Sequence, residues 1–179
     1  MSSATETNRL PRLIDPRKFA QQGLSLEGEI LVSDLERLSE VSLSEADKVQ
    51  VVLDFGIDEE KHRRIAGDLN CKLTVSCQRC LEPVEIELNA QLNLAIVWDE
   101  ERAKQLPRTL DPVILGEGQA DLYTIIEEEL LLDLPMVSYH EEDCIEQTSF
   151  GEEVDEESES SSTSNPFQVL EQLKGSPKS

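Results

Sequence analysis

The stretch "IAGDLNCKLTVSCQRCLEPVEIEL" (residues 65–88) decides the fold. Ile65, Gly67, Leu69, Cys71, Leu73, Val75 and Cys77 share one parity. Successive side chains of a strand point to opposite faces, so this alternation predicts a strand with one apolar face. After the turn-like "CQRCLEP", Val84, Ile86 and Leu88 resume the pattern in a second strand expected to run to Trp98. Two long strands joined by a short turn make an antiparallel hairpin with Cys77 and Cys80 at its tip. Cys71, in step with its apolar neighbours, reads as a small buried side chain.

The tip pair admits three chemistries. A redox Cys-x-x-Cys opens a helix, whose dipole lowers the first thiol's pKa. Here Pro83 and the alternating "VEIEL" follow, so a strand comes next and redox catalysis is not expected. A hairpin turn bearing Cys-x-x-Cys can instead present both thiolates to one zinc ion, which needs four ligands in a structural site. His140 and Cys144, in "SYHEEDC", supply His-x-x-x-Cys spacing, so Cys77, Cys80, His140 and Cys144 make a chemically sound Cys₃His set. His62 lies in the charged turn "EEKHRR". Spacing alone leaves two readings open, zinc ligands or plain structural cysteines.

Outward from the hairpin, "LSLEGEILV" and "KVQVVLDFGI" (48–57) alternate as further strands, the second with Val49, Val51, Leu53 and Phe55 on one face. Between them "SDLERLSEV" predicts a short helix opened by a capping box of Ser33 and Glu36. "DEERAKQL" reads as a helical turn and "DPVILGEG" as a short strand. The main amphipathic helix is "DLYTIIEEELLLDLP" (121–135), capped by Asp121, striped by Leu122, Ile125, Ile126, Leu130 and Leu134, and stopped by Pro135. Its consecutive Glu127, Glu128 and Glu129 read as a solvated face. The expectation is an α+β fold built on an antiparallel sheet, in one domain over 1–148 with residues 1–20 as an extended lead-in. A disordered acidic linker (149–164) follows, and then a short helical motif, "NPFQVLEQLKG" (165–175), with Phe167, Leu170 and Leu173 three apart.

The 179 residues carry 38 acidic and 16 basic side chains, a net charge of −22. Between Thr109 and Leu173 there is no Lys or Arg. Phosphate binding depends on cations that displace counterions, so most of this surface repels nucleic acid, and a basic protein is the more natural direct partner. The basic exceptions are "RLPRLIDPRK", "KHRR" and Arg79, the one cation on the hairpin tip. No apolar run reaches the ~18 residues that span a bilayer. The N-terminal residues lack a secretory pattern, and four cysteines make no disulfide framework, so a cytoplasmic protein is expected. No phosphate-cradling glycine loop, G-x-S-x-G or His-Glu-x-x-His is present, and no enzyme or small-molecule substrate is expected.

"CQRCLEPVEIEL", then "ADLYTIIEEELLLDLPMVSYHEEDC", then an acidic gap and "NPFQVLEQLKG", in that order, resemble the YceD family. The resemblance implies a non-enzymatic factor needed for large-subunit (23S) ribosomal RNA to accumulate. It implies a ribosomal protein or large-subunit precursor as partner, with ribosomal RNA contacted directly or indirectly. The acidic segments suit an alternative, a chaperone for a small basic ribosomal protein such as bL32. A thiol or RNA-processing enzyme is the rival class, and nothing in the sequence nominates its acid, base or thiol. Arg79, Phe167, Leu170 and Leu173 are the expected partner contacts, the last three either as a peptide docking in a partner's groove or folded back onto their own domain.

Overall fold

The computed structural model describes residues 9–145. The acidic linker, the helical motif with Phe167, Leu170 and Leu173, and the first eight residues of the lead-in lie outside the described residues.

The chain enters through a two-residue strand, β1 (Leu13–Ile14), and a helix, α1 (Pro16–Gln22). Asp15 caps that helix by accepting from the Lys18 N–H, and Pro16 sits in the first turn, where a missing N–H leaves nothing unpaired. Gly23 ends it at φ 63°, a left-handed conformation that suits glycine. The expected extended lead-in is therefore corrected: Asp15–Pro16 is a helix start rather than a break. Strand β2 (Ser25–Leu31) and a 3₁₀ turn (Val32–Asp34) lead to helix α2 (Glu36–Val41). The capping box on Ser33 does not form. Leu35 holds the cap position with no side-chain bond. Helix α2 finds its acceptor in the distant Glu127 instead, which takes hydrogen bonds from the Arg37 and Leu38 N–H groups at 2.7 and 3.1 Å.

Strands β3 (Lys48–Ile57), β4 (Arg63–Ser76) and β5 (Pro83–Val97) follow, then a helical turn α3 (Glu100–Ala103) and strand β6 (Asp111–Ile114). A two-residue strand, β7 (Ala120–Asp121), runs into helix α4 (Leu122–Asp133). The fold is α+β. Its five-stranded sheet has the order β2-β3-β4-β5-β6. The first four strands form an antiparallel meander, and β6 joins the edge parallel to β5, Leu94 opposite Asp111. β1 and β7 pair separately, Leu13 with Asp121, which fastens the entering chain to the base of α4.

Alternation sorts the faces as expected. Val49, Val51, Leu53 and Phe55 are buried, as are Ile65, Leu69, Cys71, Leu73 and Val75 opposite Leu88, Ala90 and Leu92. Helix α4 buries Leu122, Ile126 and Leu130 completely, and each such side chain contributes ~1.5–3 kcal/mol. Pairing of β3 with β4 requires glycine at one point. A Cβ on Gly67 would lie 2.0 Å from the Val52 carbonyl oxygen. At the far end of α4, the Asp133 carboxylate accepts from the Asn89 N–H at 2.7 Å, so the helix ends beside the hairpin.

Cations of the lead-in are used inside the fold. Arg9 pairs with Asp34, Arg12 with Asp121 and Lys18 with Asp15. Arg17 donates to the carbonyls of Val97, Leu115 and Gly116 and stacks on Trp98, 3.4 Å from the ring centroid. Among the described residues, no helix is long and apolar enough to cross a membrane.

Candidate metal centre

Strands β4 and β5 stay paired to Ser76 and Pro83, leaving six residues to turn the corner. Within that turn the Cys77 N–H donates to the Glu82 carbonyl at 2.8 Å and the Leu81 N–H to the Cys77 carbonyl at 2.9 Å. Leu81 adopts φ 66°, the left-handed region that a leucine rarely enters. The loop leaving α4 returns to this tip. It is tied there by the Gln78 N–H, which donates to the Ser138 carbonyl at 2.9 Å, and Ser138 is buried.

These contacts bring the four candidate ligands together across separations of 60 and 67 positions in the sequence. Cys77 Sγ lies 3.8 Å from Cys144 Sγ, and Cys80 Sγ lies 3.4 Å from His140 Nδ1. All four donor atoms fall within 4.8 Å of one another. Around a tetrahedral zinc ion, Zn–S bonds of ~2.3 Å set S···S edges of about 3.8 Å, and a Zn–N bond of ~2.1 Å sets an S···N edge of about 3.6 Å. The two observed separations lie close to those lengths. His140 is oriented as a ligand should be. Its Nε2–H donates to the Pro83 carbonyl at 3.0 Å, which selects the tautomer whose Nδ1 lone pair faces the sulfurs.

Electrostatics point the same way. Burial opposes ionisation of Cys77, but the N–H groups of Cys80, Arg79 and His140 and the Cys80 thiol bond to its sulfur and outweigh that, holding the thiol at about 5. Burial, then hydrogen bonds to the Cys80 and Cys77 sulfurs and their negative charge, push the Cys144 thiol up. Three sulfurs this close share the strain of a second negative charge, which a dication relieves. The cluster can hold a metal. Cys71, by contrast, is pushed up to about 11 by burial first and by Asp47 second, as suits an inert core thiol. All four cysteines are free thiols.

Arg79, expected as a partner contact, lies against the protein's own loop. It donates to the Glu142 carbonyl at 3.3 Å and Asp143 at 3.4 Å, and faces the Tyr139 ring at 5.1 Å. The expectation that Glu127 is solvated is corrected. Its side chain is 8% exposed, because it turns inward to cap α2. Neither the Ser138 and Pro83 carbonyls nor Glu127 had a sequence signal, since each role arises only when distant segments meet.

The fold and site define a class: a small α+β protein whose long hairpin carries, at its tip, a Cys₃His cluster completed by the loop after α4. Residues 65–174 match the family model described as large ribosomal RNA subunit accumulation protein YceD, a span that contains all four donors. Over 171 residues the chain is 34% identical to the protein of that name from Haemophilus influenzae, covering 93% of this chain and 97% of the relative. The chain belongs to the YceD family. No solved structure matches it.

Proposed function

We propose that this protein is a non-enzymatic cytoplasmic factor that supports accumulation of 23S ribosomal RNA by binding a component of the assembling large subunit. We further propose that Cys77, Cys80, His140 and Cys144 hold zinc as a structural ion. The observation that carries the metal reading is the set of donor separations, 3.8 Å between sulfurs and 3.4 Å from sulfur to nitrogen, at tetrahedral edge lengths. With all four positions filled by protein, no open coordination site remains for a substrate or an activated water. Bound zinc would supply charge neutralisation. The protein's own part is to bring the tip and the loop to one place and to fix the His140 tautomer through Pro83.

Charge favours a basic ribosomal protein as the direct contact, in the manner of the alternative in which the factor shelters a protein such as bL32. The net charge of −22 and the internal pairing of the lead-in cations both support that form. Two measurements test the proposal together. Elemental analysis of protein purified without added metal should give one zinc per chain, and none in a Cys77→Ser/Cys80→Ser variant. Sedimentation of a lysate should place the protein with large-subunit precursors at low salt, with loss at moderate salt. Migration only at the top of the gradient, at every salt concentration, sinks direct subunit binding.

A further inference from the structure

Between the hairpin tip and the end of α4 lies an open cleft of about 500 Å³, walled by Val41, Val75, Leu81, Leu131, Leu134 and Met136. Two of the three most exposed large apolar side chains among the described residues line it, Met136 at 95% and Leu81 at 77%. Leu81 is held there in a left-handed conformation, φ 66°, that favours glycine or asparagine. An apolar side chain kept in water on a strained backbone has no reason in the isolated fold. It has one if something covers it.

The rim says what the cover carries. The lining itself carries no charged side chain, and among the residues next to it in the chain Arg79 is the one Lys or Arg. That guanidinium is turned to Asp143 and the Glu142 carbonyl of its own loop. Glu40, Glu82 and Asp133, next in the chain to the lining Val41, Leu81 and Leu134, are exposed. A phosphate backbone would meet acids here and no free cation. A helix with one apolar face and flanking lysines or arginines would place its anchors in the cleft and its charges on the rim.

We infer that the cleft beside the Cys₃His cluster is a docking groove for a cationic amphipathic helix of a protein partner. This deepens the proposed function, and rests on it only for the identity of the partner as a ribosomal component. Groove and cluster share a wall: Gln78 and Ser138 both line the cleft, and their hydrogen bond joins the tip to the loop that carries His140 and Cys144. Loss of the metal should therefore loosen the groove.

The test uses the full chain and a labelled synthetic amphipathic helix of leucine and lysine, read by fluorescence anisotropy, with zinc content measured on the same samples. The controls are a scrambled peptide of the same composition and a single-stranded RNA oligonucleotide. The expected result is binding that falls at least about tenfold in a Leu81→Asn/Met136→Asn variant and at least about tenfold for the scrambled peptide. Both side chains are exposed, the variant keeps the net charge, and asparagine tolerates the backbone at position 81, so folding is preserved. Equal binding by the variant or by the scrambled peptide would reduce the effect to general charge attraction and overturn the groove. Tighter binding of RNA, lost in the same variant, would also overturn it. Groove-dependent binding in zinc-free protein would sink the metal reading and leave the groove standing. Zinc-loaded protein that does not bind the helix would sink the groove alone.

Discussion

Glu127→Ala tests whether a single buried carboxylate holds α2 to α4. In the folded protein the Glu127 carboxylate accepts from the Arg37 and Leu38 N–H groups at 2.7 and 3.1 Å, and from Arg37 Nε at 3.2 Å. Truncation leaves two backbone donors at a helix start with no acceptor, at ~1–3 kcal/mol for such buried groups. The Arg37 side chain is 53% exposed, so its ion pair adds less than about 1 kcal/mol. The expected loss is roughly 2–4 kcal/mol, a large part of the 5–15 kcal/mol typical of a domain. Glu127→Gln keeps one acceptor oxygen in place and should cost only about half as much. Urea unfolding followed by circular dichroism, at fixed metal concentration, measures both variants. Hydrogen exchange at Arg37 and Leu38 reports whether the loss is local to α2. An alanine variant within about 0.5 kcal/mol of the parent would refute the capping role and leave Glu127 an unexplained buried charge.

Other outcomes follow from the same geometry. Gly67→Ala would place a Cβ 2.0 Å from the Val52 carbonyl oxygen, so β3 and β4 must part locally, and a loss of about 2–3 kcal/mol in urea unfolding is expected. Stability equal to the parent would show that the pairing has slack. In metal-free protein the Cys77 thiol, held at about 5 against an ordinary 9.0, has the lowered folded value that stabilises the folded state. That contribution is complete above pH 9.0 and is lost as the pH falls through about 5. Ultraviolet thiolate absorbance should therefore persist into mildly acidic solution and vanish there in Cys77→Ser; titration of every thiol above neutrality would contradict it. Arg17→Lys removes a planar donor that reaches three carbonyls and stacks on Trp98, the only tryptophan, so the intrinsic fluorescence should shift and stability fall by about 1–3 kcal/mol. Unchanged emission would mean that the stack is not populated in solution.

Period-two alternation made the meander and the long hairpin legible, because burial of one face imposes it residue by residue; Leu69 through Val75 and Val49 through Phe55 show it without a break. Helix α4 was equally plain from the Asp121 cap and the Leu122–Ile126–Leu130 stripe. The errors sit where a local signal competed with a distant one. Ser33 and Glu36 spell a capping box, yet the carboxylate that serves α2 comes from α4. Pro16 lies in the stretch expected to be extended, yet Asp15 before it makes it a helix start. The parallel pairing of β6 had no signal, since four residues show no register of their own. At the site, spacing nominated all four donors but could not bring them together. The Gln78–Ser138 backbone bond, the His140–Pro83 bond and the Arg79 contacts do that, and no residue type announces them.

The placement of the cluster follows from what the loop lacks. From Leu134 to Ile145 the chain offers mostly exposed side chains, with Ser138 alone buried, so apolar burial cannot hold it against the hairpin. Ordering about a dozen residues costs roughly 1–2 kcal/mol each in backbone entropy alone. The backbone bond to Gln78, the His140 bond to Pro83 and the Arg79 contacts recover only a few kcal/mol. Structural zinc sites release about 10–16 kcal/mol in small peptides, the right size to close that gap. Under the proposed metal binding, the loop's state becomes conditional on the ion. A partner that covers Leu81 and Met136 would favour the same closed arrangement as the metal, so each should tighten the other's binding by an equal factor. A metal affinity that rises when the helix peptide is present is therefore the thermodynamic counterpart of a peptide affinity that rises with metal, and neither coupling occurs without the other.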